Sequence, residues 1–124
     1  MVKALFDTNI LIDYLNGVSA AKDELERYTE PSSKAISAVT WMEVMAGTTA
    51  ATEAVTRDFL QDFKLHAIDE AVSERAVTLR RVRGIKLPDA IIWATALVHD
   101  RLLVSRNVKD FAANVPGIRV PYQL

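Results

Sequence analysis

The chain has 124 residues, half of them apolar, and a net charge of −1 at pH 7, which suits one domain over residues 1–124 with a substantial core. The absence of cysteine excludes a disulfide framework and fits a reducing, cytoplasmic compartment. No apolar window reaches the length of a membrane span, and near-neutral charge leaves nucleic-acid binding to be decided by local patches.

In chain order, residues 2–6 read as a first strand, ending at Asp7. Residues 9–15 form a short helix stopped near Gly17, and residues 20–28 a second helix broken before Pro31. "KAISAV", residues 34–39, is a second strand, and a helix begins over residues 41–46. Val55, Phe59 and Phe63 recur every four residues, which marks an amphipathic helix over residues 49–62. "KLHAI" is a third strand, and residues 70–82 form a helix ending at Gly84. Residues 88–99 are apolar nearly all round, as in a buried helix. "LLVS", residues 102–105, is a fourth strand, followed by a short helix around residues 108–113 and a fifth strand in "IRVP". This alternation predicts a three-layer α/β/α domain with a mostly parallel sheet of four to five strands.

Such folds place their sites at the carboxyl ends of the strands, where strand order reverses. Asp7 closes the first strand. Glu43 falls in the expected first turn after the second, and Asp110 in the expected first turn after the fourth. Asp89 opens the helix that leads into the fourth strand, and four carboxylates converge if that end lies beside the others.

Each acid also has a purely structural reading. Acids suit first helical turns because of the macrodipole. "TWME", residues 40–43, has the spacing of a capping box with Thr40 as cap, and "NVKD", residues 107–110, has the analogous spacing. Pro88 fits the first position of a helix. Asp7 is the hardest to dismiss, because Thr8 or Asn9 offers a cap in its place. Two ionised carboxylates about 4 Å apart repel by roughly 4 kcal/mol at an effective dielectric near 20. Convergent acids therefore require protons or cations, and a hard divalent ion such as Mg²⁺ is the usual partner.

"LFDTNILIDYL", "ISAVTWMEV", "KLPDAIIWATAL" and "LLVSRNVKDF", in this order and at ordinary spacing, resemble the four blocks of the PIN domain family, and more narrowly its VapC toxin branch. The resemblance implies a metal-dependent ribonuclease of α/β/α fold. On it, Asp7, Glu43, Asp89 and Asp110 are the catalytic acids, and Asp7 and Asp89 hold Mg²⁺ or Mn²⁺. Asn9, Ser105 and Asn107 support them. Many members carry an acid where Asn107 stands, which leaves one metal or two as the open question. The family implies an RNA substrate (tRNA, rRNA or mRNA), a small VapB-like antitoxin and a homodimer. The apolar content of residues 41–63 fits a partner surface and ordinary core equally.

Basic residues cluster in "ERAVTLRRVRGIK", with Arg83 and Lys86 the best candidates for RNA phosphate, while Arg101, Arg106 and Lys109 lie near the last block. His66 and His99 fall outside all four blocks and read as structural, as Trp41 and Trp93 read as core. A phosphoacceptor receiver domain would want paired acids after the first strand, and an Asp-x-Asp phosphatase an aspartate where Asn9 stands. A non-catalytic PIN-like module that grips RNA or protein is the remaining alternative.

Overall fold

A computed structural model describes residues 2–124. Five strands, β1 (Ala4–Phe6), β2 (Lys34–Ser37), β3 (Lys64–His66), β4 (Leu102–Val104) and β5 (Ile118–Arg119), form one sheet in the order β3-β2-β1-β4-β5. Every pairing is parallel, so the expected mostly parallel sheet is wholly so. The chain moves outward from β1 to β3 and then crosses to β4. Strand order therefore reverses between β1 and β4, which places the switch-point crevice at Asp7 and Ser105.

The strands read as continuous apolar runs because both faces of the sheet are covered. Successive side chains point to opposite faces. Leu5, Ala35 and Leu103 meet α5 (Glu70–Arg83) and α6 (Leu87–Val98) on one side. Ala4, Phe6, Ile36 and Val104 meet α1 (Thr8–Leu15), α2 (Ser19–Glu26), α3 (Ala38–Ala46) and α4 (Glu53–Leu60) on the other. Helix α5 starts on Asp69, whose carboxylate accepts from Val72 N at 2.9 Å, and ends at Gly84 with φ of 68°. There a glycine avoids the steric cost of the left-handed cap.

Several boundaries differ from the sequence expectation. The second strand stops at Ser37, not residue 39, because the Ser37 hydroxyl accepts from Val39 N (3.0 Å) and Thr40 N (3.4 Å) and caps α3. Glu43 is therefore mid-helix, not in a first turn, and Thr40 caps nothing. The amphipathic helix is shortened to Glu53–Leu60, since Thr49 N bonds the Thr52 hydroxyl at 2.9 Å in place of a helical carbonyl. Pro88 takes the second, not the first, position of α6. The helix expected around residues 108–113 does not form. That stretch is a series of turns, with a single helical bond from Phe111 N to Asn107 O at 3.0 Å that is not continued. Asp110 thus sits in an isolated turn.

Candidate active site

Asp7 caps α1, and its Oδ1 accepts from Thr8 N at 2.7 Å. The capping reading is therefore correct, but it leaves Oδ2 for other work. That oxygen accepts from the Ser105 hydroxyl at 2.7 Å and from Asn9 Nδ2 at 3.1 Å. Ser105 and Asn9 thus tie the ends of β1 and β4 together through Asp7. Asp7 is 4% exposed. Burial raises its pKa above the usual aspartate value, and the Glu43 charge adds to this, while the bonds from Ser105, Thr8 and Asn9 oppose it.

Glu43 is reached from α1. The Thr8 hydroxyl donates to Glu43 Oε1 at 2.6 Å and lies 3.0 Å from the Thr40 hydroxyl. Thr8 and Thr40 are buried and fix a carboxylate that is itself exposed. The sequence reading missed this pair. The signal for Thr8 was its place between Asp7 and Asn9 at a strand's carboxyl end.

Asp89 lies in the first turn of α6 as expected, and this turn is at the same end of the sheet as the other acids. Its pKa is pushed up to about 7, first by burial, then by Asp110 within hydrogen-bonding reach and by the charges of Asp7 and Glu43. Asp110 is held by Asn107, whose amide nitrogen donates to Asp110 Oδ2 at 3.1 Å and whose Oδ1 accepts from Asp110 N at 3.3 Å. Asn107 N in turn donates to the Ser105 hydroxyl at 2.9 Å. One chain of bonds therefore runs from Asp7 through Ser105 and Asn107 to Asp110.

The four acids lie at one end of the sheet, where Asp110, Asp7 and Glu43 all act on Asp89, and none of the ion pairs among the described residues uses any of them. Among the described residues, no three His, Asp or Glu side chains stand close enough together to hold a metal ion as placed. The donor set is all oxygen and carries uncompensated negative charge. That suits a hard divalent cation held by one or two carboxylates with water and substrate completing the shell.

The basic candidates separate. Arg101 is 8% exposed and spent internally: Nε donates to His66 Nε2 at 3.0 Å, and Nη1 to Ala4 O and Ser33 O. Arg106 is paired with Asp13. Arg83, Lys86 and Lys109 remain exposed. The Arg83 guanidinium lies 4.6 Å over the Trp93 ring, one helical turn beyond Asp89, and Lys86 immediately precedes α6. Trp93 is core, as expected, while Trp41 is only half-buried. His66 stacks on His99 with ring centroids 3.7 Å apart, away from the acids. A cleft of about 580 Å³ lies at the opposite end of the sheet beside Val2, Ser33 and Leu102. Its Arg27 and Arg119 are both drawn to buried Glu24, and Glu30 is the one acid on its lining outside those pairs, so it gathers no cluster of acids.

The match to a family model decides the lineage: the model described as PIN domain covers residues 4–114. The chain belongs to the PIN domain family. This PIN domain is 35% identical over 112 residues to Ribonuclease VapC10 of Mycobacterium tuberculosis (strain ATCC 25618 / H37Rv), covering 86% of this chain and 84% of that protein. It is thus a homologue of the VapC ribonucleases. A chain of a toxin-antitoxin complex from Klebsiella pneumoniae aligns with a TM-score of 0.91 at 48% identity, over 98% of this chain and 100% of that one. DNA-bound VapBC from Salmonella typhimurium aligns with a TM-score of 0.77 over 96% of each chain, and at 23% identity that likeness is one of fold.

Proposed function

We propose that this PIN domain is a Mg²⁺- or Mn²⁺-dependent ribonuclease and the toxin of a VapBC-type pair. The observation that carries this reading is the convergence of Asp7, Glu43, Asp89 and Asp110 without a basic partner. A protein that used these acids only as caps would have no reason to bring them together against their mutual repulsion.

Asp7 and Asp89 would hold the cation, with Asp110 beside Asp89 and Glu43 across the crevice. The bound ion would offset charge on the phosphate and acidify water. Asn9 and Ser105 keep Asp7 Oδ2 oriented. Glu43, steadied by Thr8, would bind the metal through water or accept the proton of a water attacking the phosphodiester. Asn107 positions Asp110, so its amide serves the site without adding charge. Arg83 and Lys86 flank the opening of α6 and would take the RNA backbone. Trp93 braces Arg83 by a cation–π contact.

The site also suits a partner. A cleft of about 360 Å³ runs beside Glu43, and Ile12, Leu15 and Val55 leave apolar surface exposed around it. A small antitoxin would cover that surface and bring a basic side chain to the acids. A homodimer and a cytoplasmic setting complete the proposal. Among the described residues no helix is long and apolar enough to cross a membrane.

The deciding experiment is cleavage of labelled tRNA, rRNA and mRNA with Mg²⁺, with Mn²⁺ and with EDTA. Cleavage that needs the metal and stops in EDTA is expected. Cleavage unaffected by EDTA would overturn the metal dependence, and RNA binding without cleavage under any metal would favour a non-catalytic module.

A further inference from the structure

We propose that Arg106 is a positioning residue, whose fork, gripped by Asp13, registers the active-site turn after β4 against helix α1. This inference rests on the ribonuclease reading above.

Helix α1 presents Asn9 and Asp13 four residues apart, on one face. Both hold Arg106, by different parts. Asn9 Oδ1 accepts from Arg106 N at 3.3 Å. Asp13 accepts from Arg106 Nε at 2.5 Å and Nη2 at 2.8 Å, a two-pronged ion pair. The Tyr122 hydroxyl donates to Asp13 Oδ2 at 2.7 Å, so the C-terminal segment closes the same network. Asp13 is 4% exposed, in a helix otherwise rich in apolar side chains. A buried carboxylate there is costly unless paired and hydrogen-bonded, and the arrangement pairs it fully.

The position of Arg106 in the chain gives this pair a catalytic consequence. Its neighbour Ser105 bonds Asp7, and its other neighbour Asn107 holds Asp110. Residues 105–117 contain no helix or strand, and beyond the bond from Ser105 N to Arg119 O at 3.0 Å the turn has no regular ladder to set its register. Its position depends on a few contacts, of which the Arg106 fork is a charged, two-pronged one. Asn9 adds a second link, because the same amide side chain touches Asp7 Oδ2 through Nδ2 and Arg106 N through Oδ1. A small shift of Arg106 along α1 would therefore move Ser105, Asn107 and Asp110 relative to Asp7 together.

Lysine would keep the charge that neutralises Asp13 but not the planar fork. Arg106→Lys therefore folds and separates the two roles open to this side chain. The test compares the wild type with Arg106→Lys, Arg106→Gln, Asp13→Asn and the double variant Asp13→Asn/Arg106→Gln. It reads kcat and KM for RNA cleavage and, separately, Mn²⁺ affinity by calorimetry.

The expected result is a fall in kcat of roughly tenfold or more, the scale seen when groups orienting metal ligands are lost. KM stays near the wild-type value, and Arg106→Lys is nearly as impaired as Arg106→Gln. Mn²⁺ affinity weakens in the same variants. The double variant loses no more than the worse single one, because each single change already breaks the pair. Full kcat in Arg106→Lys would overturn the proposal. So would a raised KM with unchanged kcat, which would make Arg106 a contact to RNA. A wild type that neither binds Mn²⁺ nor cuts RNA would overturn the ribonuclease reading and this inference with it. An active wild type with unimpaired variants would overturn this inference alone.

Discussion

Asp7 and Asp89 both resist ionisation in the folded protein. Burial and neighbouring acids raise both pKa values, that of Asp89 to about 7. A carboxyl with a raised folded pKa binds its proton more tightly when folded. Between its ordinary value of 3.8 and about 7, the contribution of Asp89 to the stability of the metal-free protein therefore falls as pH rises. Asp89→Asn removes the ionisable group and keeps the shape. In EDTA at pH 8 this variant is expected to melt at or above the wild-type temperature, while adding Mn²⁺ raises the melting point of the wild type only. RNA cleavage by Asp89→Asn and by Asp7→Asn is expected to fall by at least about a hundredfold, in line with loss of metal-held chemistry. Thermal melts with and without Mn²⁺, beside a cleavage assay, check both. A strong loss of stability in Asp89→Asn at pH 8 would instead make the acid a structural cap. Thr8→Val gives a finer test. It removes the donor to Glu43 but not the backbone N–H that Asp7 caps. Cleavage is expected to drop several-fold with a stability change of about 1 kcal/mol, read by kinetics and urea unfolding.

The turn after β4 shows most clearly what local sequence carries. Apolar runs with opposite-face alternation were enough to mark all five strands, because a doubly covered sheet demands them. The acids at strand ends were legible for the same reason, since the fold class dictates where crevices open. The boundaries were less legible. Ser37 ends β2 two residues early through its own hydroxyl, a local competition that the β-branched pattern around it conceals. The turn at Asn107 has the spacing of a helix start, yet tertiary contacts take the chain elsewhere: Ser105 N bonds Arg119 O at 3.0 Å, and Phe111 is wholly buried against Trp93. The Arg106–Asp13 pair joins residues 93 apart in sequence, and no periodicity points to such a partner. Asp13 offered one signal, an acid in an otherwise apolar helix. Phe111 is the apolar anchor of this segment, edge-on to Trp93 with ring centroids 5.6 Å apart. Phe111→Ala is expected to cost about 3–5 kcal/mol and to abolish cleavage by freeing Asp110. Urea unfolding and activity at low temperature would show whether the folded fraction has also lost its catalytic turn, and a fully active folded fraction would show that Phe111 serves packing alone.

At the scale of the whole molecule, the sheet is sensitive to acid at its buried histidine. His66 is 7% exposed, and its Nε2 accepts from Arg101 Nε, which leaves the ring neutral with its proton on Nδ1. Burial lowers its pKa from 6.5 to about 4, helped by the neighbouring His99, Arg101 and Lys64, with Asp69 opposing. The unfolded chain takes up this proton near pH 6.5, and the folded one resists it until about 4. Stability linked to His66 is thus complete above pH 6.5 and is lost as pH falls towards 4, by up to about 3 kcal/mol. Arg101 makes the loss a global one. The same guanidinium reaches Ala4 O and Ser33 O, so it links β1, the entry to β2 and β3 in one contact. Asp89 acts in the opposite sense over an overlapping pH range, since its raised pKa favours the folded state as pH falls. The two contributions mask each other in the wild type and separate in variants. In EDTA, Asp89→Asn is expected to destabilise more steeply between pH 7 and 5 than the wild type, because the Asp89 contribution no longer offsets that of the histidine. His66→Gln keeps an acceptor for Arg101 but cannot be protonated in this range, and its urea midpoint is expected to stay flat or rise over the same interval. Parallel slopes for the two variants would remove His66 as the source of the acid sensitivity.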